Sequence, residues 1–205
     1  MKRTICIALA IFLSVISLFA DGTGLHVVVI DAGHGGKDPG AVSSDKKTYE
    51  KSIVLDIAKN LSERIRKAYP DVKVVMTRSS DKYVTLNDRA EIANKADADL
   101  FISIHINASA KNSPNGYSVH ILGQSSDTNK DLFAYNMDVC RRENSVITLE
   151  DDYTTKYQGF DPSDPESFIF MTLMQNSYLE QSMKFAQVIS RSLKGGPIKA
   201  DRGIW

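Results

Sequence analysis

Two histidines and one glutamate stand where this chain could do chemistry. His34 lies in a glycine-rich turn, GHGG, directly after the apolar run VVVIDA. His105 ends a second apolar run, LFISIH, and Glu50 opens a stretch of helical periodicity. Two imidazoles and a carboxylate form a ligand set of the kind that holds catalytic Zn²⁺, with a fourth position left for water. Such an ion lowers the pKa of its water towards neutrality and polarises a carbonyl, so amide hydrolysis is the natural reaction class. Each histidine taken alone also reads as an ordinary turn or strand-end hydrogen-bonding group, and only their conjunction with Glu50 favours a metal. A carboxylate general base would have to accept the water's proton. Asp31 is better placed to orient a ligand histidine than to be that base. It reads equally as a turn-forming aspartate after a strand. Lys37 and Asp38 read as loop solvation.

The spacing between the three residues is long, so the fold must bring them together. His26 to Ile30 is a β-branched run that predicts a strand buried on both faces, as in a parallel sheet. From Glu50 to Tyr69, Ile53, Val54, Ile57, Leu61, Ile65 and Ala68 recur at helical spacing, with Thr48 as the expected N-cap. Asp71 to Thr77 predicts a second strand, and Thr85 with Asp88 starts a helix running to about Ala96. Ala98 to His105 is a third strand and Tyr117 to Leu122 a further one, with His26 read as structural and His120 as pointing into packing or solvent. Helices are expected over Asn129 to Arg142 and from about Glu166 to Leu193, the second started by Asp164 and Pro165. Between them lies a long polar loop, Glu143 to Pro165. Alternating strands and helices predict an α/β fold: one domain, with a mostly parallel twisted sheet flanked by helices on both faces. Open sheets of this kind gather ligands at the carboxyl ends of their strands, where both histidines fall.

Composition narrows the class further. Residues 1 to 20 combine Lys2 and Arg3 with an uncharged apolar run ending in Ala20, the pattern of a secretory signal peptide. The run is short for a spanning helix, and an uncleaved anchor is the alternative. Cys6 belongs to this leader, so Cys140 is the cysteine that would remain and no intrachain disulfide is expected. The 25 basic and 25 acidic residues balance, which leaves no electrostatic footprint for nucleic acid. At the other end GGPIKADRGIW closes a helix and begins a further segment, so the chain reads as truncated.

Several stretches together resemble the zinc-dependent N-acetylmuramoyl-L-alanine amidases of the amidase 3 family. These are IDAGHGGKDPGA around His34, the pair Glu50 and Lys51, TRSSD at 77–81, LNDRAEIANKADADLFISIHINA at 86–108, and NGYSVHIL at 115–122. The resemblance covers residues 27 to about 122. It implies that His34, Glu50 and His105 hold Zn²⁺, that Asn107 borders the substrate, and that Arg89 is a buttress. Ile106 stands where the family often has a smaller residue, which would reshape the cleft slightly. The implied reaction is cleavage of the amide between N-acetylmuramic acid and L-alanine in peptidoglycan or muropeptides, in wall turnover or daughter-cell separation. The implied setting is periplasmic or extracellular, with a periplasmic activator as a partner. The family's catalytic glutamate, on a late strand of the type MPAVLVE, has no counterpart here and is expected beyond Trp205. Some periplasmic members carry a blocking insertion near the site, and Glu143 to Pro165, with its acidic cluster Glu150, Asp151 and Asp152, lies where such an insertion would sit. A solvated loop is the other reading of that cluster. Two rival functions stay open: a zinc-binding, peptidoglycan-recognising pseudoenzyme, and an exported zinc peptidase.

Overall fold

A computed structural model describes residues 24–107, 115–121, 143 and 179–205. The expected leader, the helix over 129–142 with Cys140, the loop beyond Glu143 with its acidic cluster, and the first part of the last helix lie outside the described residues. The chain divides into two compact units, 1–107 and 108–205.

The first unit is built on β1 (Val27–Ala32), α1 (Glu50–Ala68), β2 (Lys73–Met76), α2 (Leu86–Lys95) and β3 (Leu100–Ile104). Its three strands form a parallel sheet in the order β2-β1-β3, with Val28 opposite both Val74 and Leu100. Each parallel pair needs a crossover, and the two crossovers contain α1 and α2. The pleat sends alternate residues of β1 to opposite faces. Val28, Ile30 and Ala32 pack with Val54, Leu55 and Ala58 of α1, all under 10% exposed. Asp31 points to the other face and meets Arg89 of α2. Helices therefore cover both faces, as the strand and helix alternation predicts. Burying each of Val28, Val29 and Ile30 contributes roughly 1.5–3 kcal/mol.

Helix α1 begins and ends where periodicity places it, but its buried stripe is rotated. Glu50, Val54, Leu55, Ala58 and Ser62 face inward, whereas Ile53 and Ile57 are exposed. Thr48 does not cap it. Tyr49 occupies the N-cap without a side-chain bond, and the Thr48 N–H instead donates to Ser43 Oγ at 3.0 Å. Helix α2 starts as expected, with Thr85 Oγ1 accepting from the Asp88 N–H at 3.0 Å. His26, expected to be structural, is exposed, and its backbone is tied down. Its N–H and that of Val27 both donate to Asp99 Oδ2 at 2.7 Å, tying the start of β1 to the start of β3.

In the second unit β4 (Tyr117–Val119) pairs in parallel with β5 (Asp201–Ile204) beside α3 (Leu179–Leu193). The helix is joined to the strands through its Ser190, whose Oγ donates to Asp201 and whose carbonyl accepts from the Tyr117 hydroxyl. His120 is exposed and lies 2.9 Å from Ser118 Oγ.

Candidate metal centre

The carboxyl ends of β1 and β3 deliver the two histidines, and the first turn of α1 delivers Glu50. Parallel pairing puts Ala32 beside Ile104, so His34 and His105 emerge at one rim of the sheet. His34 departs from the strand with a φ of 60°, a left-handed conformation that costs a non-glycine residue about 1–3 kcal/mol. Its own surroundings hold it there. Arg89 Nη2 donates to the His34 carbonyl at 2.8 Å, and Arg89 Nη1 donates to the Ala32 carbonyl at 2.8 Å.

Three side-chain atoms converge. His34 Nε2 lies 3.1 Å from Glu50 Oε1, His105 Nδ1 lies 3.3 Å from the same oxygen, and the two ring nitrogens are 3.1 Å apart. The edges of a zinc tetrahedron with bonds of 2.0–2.1 Å are about 3.3–3.4 Å, so this triangle has the dimensions of one of its faces. Electrostatics points the same way. His34 Nδ1 donates to Asp38 Oδ2 at 2.7 Å, which leaves Nε2 of a neutral imidazole as a lone pair facing the Glu50 carboxylate. Lone pairs facing each other at that distance call for a cation between them. The donor set, two nitrogens and one carboxylate oxygen, fits zinc.

Glu50 is almost fully buried, and burial raises its pKa. The close approach of the His105 and His34 rings and hydrogen bonds from the N–H groups of Ile106 and Ala41 outweigh that and hold it down to about 2. Its Oε1 accepts from Ile106 N at 2.6 Å and its Oε2 from Ala41 N at 2.8 Å. Asp38 is likewise engaged on both oxygens, Oδ2 by His34 and Oδ1 by the Gly40 N–H at 3.1 Å. Burial raises its pKa, while the bonds from His34 and Gly40 and the Arg89 charge bring it below the ordinary carboxylate value. Both carboxylates are held as fixed anions rather than as proton carriers.

The glycines of the turn are explained by space. A Cβ on Gly33 would lie 2.4 Å from His105 Cε1, and one on Gly40 would lie 2.6 Å from His34 Cδ2 and 2.8 Å from Glu50 Oε2. The turn is also clamped from outside. Lys51 Nζ donates to the Gly36 carbonyl at 2.9 Å and to Asp81 Oδ2 at 2.7 Å, and Asp81 Oδ1 accepts from the Gly36 N–H. Arg78, 1% exposed, donates to the carbonyls of Ala32, Gly33 and Lys51.

Sequence reasoning misassigned two aspartates. The carboxylate on His34 belongs to Asp38, not to Asp31. Asp31 is the buried partner of Arg89 Nη1 at 2.6 Å, Thr77 Oγ1 at 2.6 Å and Ser103 Oγ at 2.7 Å. The pleat explains why: Asp31 lies within β1 and projects beneath the sheet end, whereas Asp38 lies four residues after His34 on the far side of a tight turn. The reciprocal backbone bonds between Gly35 and Asp38 that close this turn, 2.9 and 3.1 Å, have their cue in the spacing HGGKD. Arg78 was missed as a backbone clamp, and its cue was a single arginine directly after an apolar strand. Arg89, expected as a buttress, donates to Asp31 and to the carbonyls of Ala32 and His34. Asn107 is exposed two residues past His105, and the Ile106 side chain packs against the core.

A family model for N-acetylmuramoyl-L-alanine amidases, Amidase_3, matches residues 28–204. AmiB of Haemophilus influenzae, described as a probable N-acetylmuramoyl-L-alanine amidase, is 45% identical over 95 residues, 46% of this chain. The N-acetylmuramoyl-L-alanine amidase AmiC of Escherichia coli is 46% identical over 96 residues, 47% of this chain. The matched region spans 22% of the length of either relative, so the chain corresponds to a fraction of those proteins. Among solved structures, the catalytic domain of the amidase CwlV from Bacillus (Paenibacillus) polymyxa var. colistinus is 41% identical, with a TM-score of 0.45, covering 56% of this chain and 62% of that one. With a family model spanning both compact units, this chain belongs to the Amidase_3 family of N-acetylmuramoyl-L-alanine amidases.

Proposed function

We propose that the chain is the zinc-binding part of an exported peptidoglycan amidase that cleaves the bond between the lactyl carbonyl of N-acetylmuramic acid and the nitrogen of L-alanine. The observation that carries this reading is the triangle of His34 Nε2, Glu50 Oε1 and His105 Nδ1, with edges of 3.1–3.3 Å. Zinc bound there would acidify a water and polarise the amide carbonyl. Glu50 supplies one negative charge, fixed by two backbone N–H groups, which leaves a bound dication with net positive charge for a carbonyl oxygen. Asn107, exposed two residues past His105, is the residue proposed to contact substrate. In the overall reaction the C–N bond breaks, hydroxyl goes to the lactyl carbon and a proton goes to the alanine nitrogen. Export is consistent with the amino-terminal pattern of Lys2, Arg3 and an apolar run, and wall turnover or daughter-cell separation is the role proposed for the activity.

The test is mass spectrometry of purified muropeptides after incubation with the zinc-loaded protein in a form that includes a carboxylate general base. Release of the intact stem peptide with a free alanine amine is the expected result. Cleavage within the peptide would replace this reading with a zinc peptidase, and binding without cleavage would replace it with a recognition module.

A further inference from the structure

We infer that Asp38 is a positioning residue for the proposed metal ligand His34, fixing the imidazole in the Nδ1–H tautomer so that Nε2 is presented to the metal. This deepens the proposed function and rests on it. An ionised carboxylate only accepts hydrogen bonds, so the 2.7 Å contact between Asp38 Oδ2 and His34 Nδ1 puts the ring proton on Nδ1. Nε2 is then the lone pair at the triangle with Glu50 and His105.

Asp38 is rigid enough for this role. Its backbone exchanges two hydrogen bonds with Gly35, its second oxygen holds the Gly40 N–H, and both it and the His34 ring are about 10% exposed. With the His34 carbonyl fixed by Arg89, the imidazole is held at its backbone and at Nδ1. A hydrogen-bonding carboxylate behind a metal-binding histidine sets ring orientation and raises its basicity, and losing such a partner costs about 10–100-fold in metal affinity. The two histidines are thereby distinguished, since His105 turns Nδ1 rather than Nε2 to the same point.

The experiment measures zinc affinity by chelator competition on the full chain and on Asp38→Ala, Asp38→Asn and Asp45→Ala, with ¹⁵N spectra of the apo imidazoles. Asp45 is a carboxylate farther along the loop, bonded to Ser43 and Lys47, and its variant should bind zinc as the wild type does. Asp38→Ala is expected to lose about 10–100-fold in zinc affinity with unchanged circular dichroism, and its His34 signals should move from the Nδ1–H form towards a mixture of tautomers. Asparagine, whose amide oxygen accepts the same bond without charge, should recover part of the loss. An Asp38→Ala chain that is folded and binds zinc within about twofold of wild type would overturn the inference. If alanine prevents folding, Asp38→Asn decides, and affinity equal to wild type is the overturning result. A wild-type chain that binds no zinc would instead remove the metal reading itself.

Discussion

His34 Nε2 and His105 Nδ1 lie 3.1 Å apart although 71 positions separate the residues, and both meet Glu50 Oε1. Each atom is one corner of a triangle, so deletion of any corner leaves two donors where zinc wants three. His34→Ala and His105→Ala are each expected to weaken zinc binding by more than the roughly 10–100-fold cost of losing a hydrogen-bonding partner behind a ligand. Chelation of the metal should lower the melting temperature, because zinc that binds only the folded chain stabilises it by mass action. Calorimetry with and without chelator checks both the site and its coupling to folding.

Gly33 separates catalytic geometry from stability. Its φ is not left-handed, so alanine is acceptable to the backbone, but the added Cβ would fall 2.4 Å from the His105 ring. The ring, 29% exposed, has room to rotate away from Gly33 and would take Nδ1 with it. Gly33→Ala is therefore expected to lose zinc affinity about tenfold or more while melting within a few degrees of wild type, by chelator competition and thermal scans.

How much of this was legible in the sequence depended on the range of the cause. Strand and helix alternation is local, so β1, α1, β2, α2 and β3 stand within a few residues of their predicted limits, and both histidines lie at strand ends as expected. The inward face of α1 was misread because Ile53 and Ile57 match the apolar period as well as Leu55 does, and only the docked sheet selects among them. The exchange of roles between Asp31 and Asp38 has the same origin. Sequence distance placed Asp31 nearer to His34 than Asp38, but the strand pleat and the turn decide direction.

Breaking the Asp31–Arg89 pair should cost the first unit heavily. Arg89 is 6% exposed and Asp31 3%, and removing one partner of a buried pair strands the other, at about 3–5 kcal/mol. Arg89→Leu is expected to shift the urea midpoint accordingly. Burial raises the Asp31 pKa, but Arg89 and the bonds from Thr77 and Ser103 bring it below the ordinary aspartate value. The folded carboxyl thus takes its proton at lower pH than the unfolded one. The stability it confers is complete above about pH 4 and is lost as pH falls through the folded value. Urea midpoints followed from about pH 6 to pH 2 should decline in wild type, with a flatter acid limb in Asp31→Asn.

Ser62 offers the opposite case, a place where the chain gains from losing a polar group. It lies on the buried stripe of α1, 1% exposed, and its Oγ has no hydrogen-bond partner among the described residues. An unsatisfied buried hydroxyl costs about 1–3 kcal/mol, and alanine is the better helix former by a few tenths of a kcal/mol. Against this stands the small void left by one oxygen, one turn from Ala58 on the same stripe. The balance favours the apolar side chain, so Ser62→Ala should raise stability by about 1 kcal/mol and leave zinc affinity unchanged, since the triangle is three helical turns away. A thermal scan showing a lower melting temperature would mean that Ser62 has a partner in solution, with a buried water on its Oγ as the first candidate to seek.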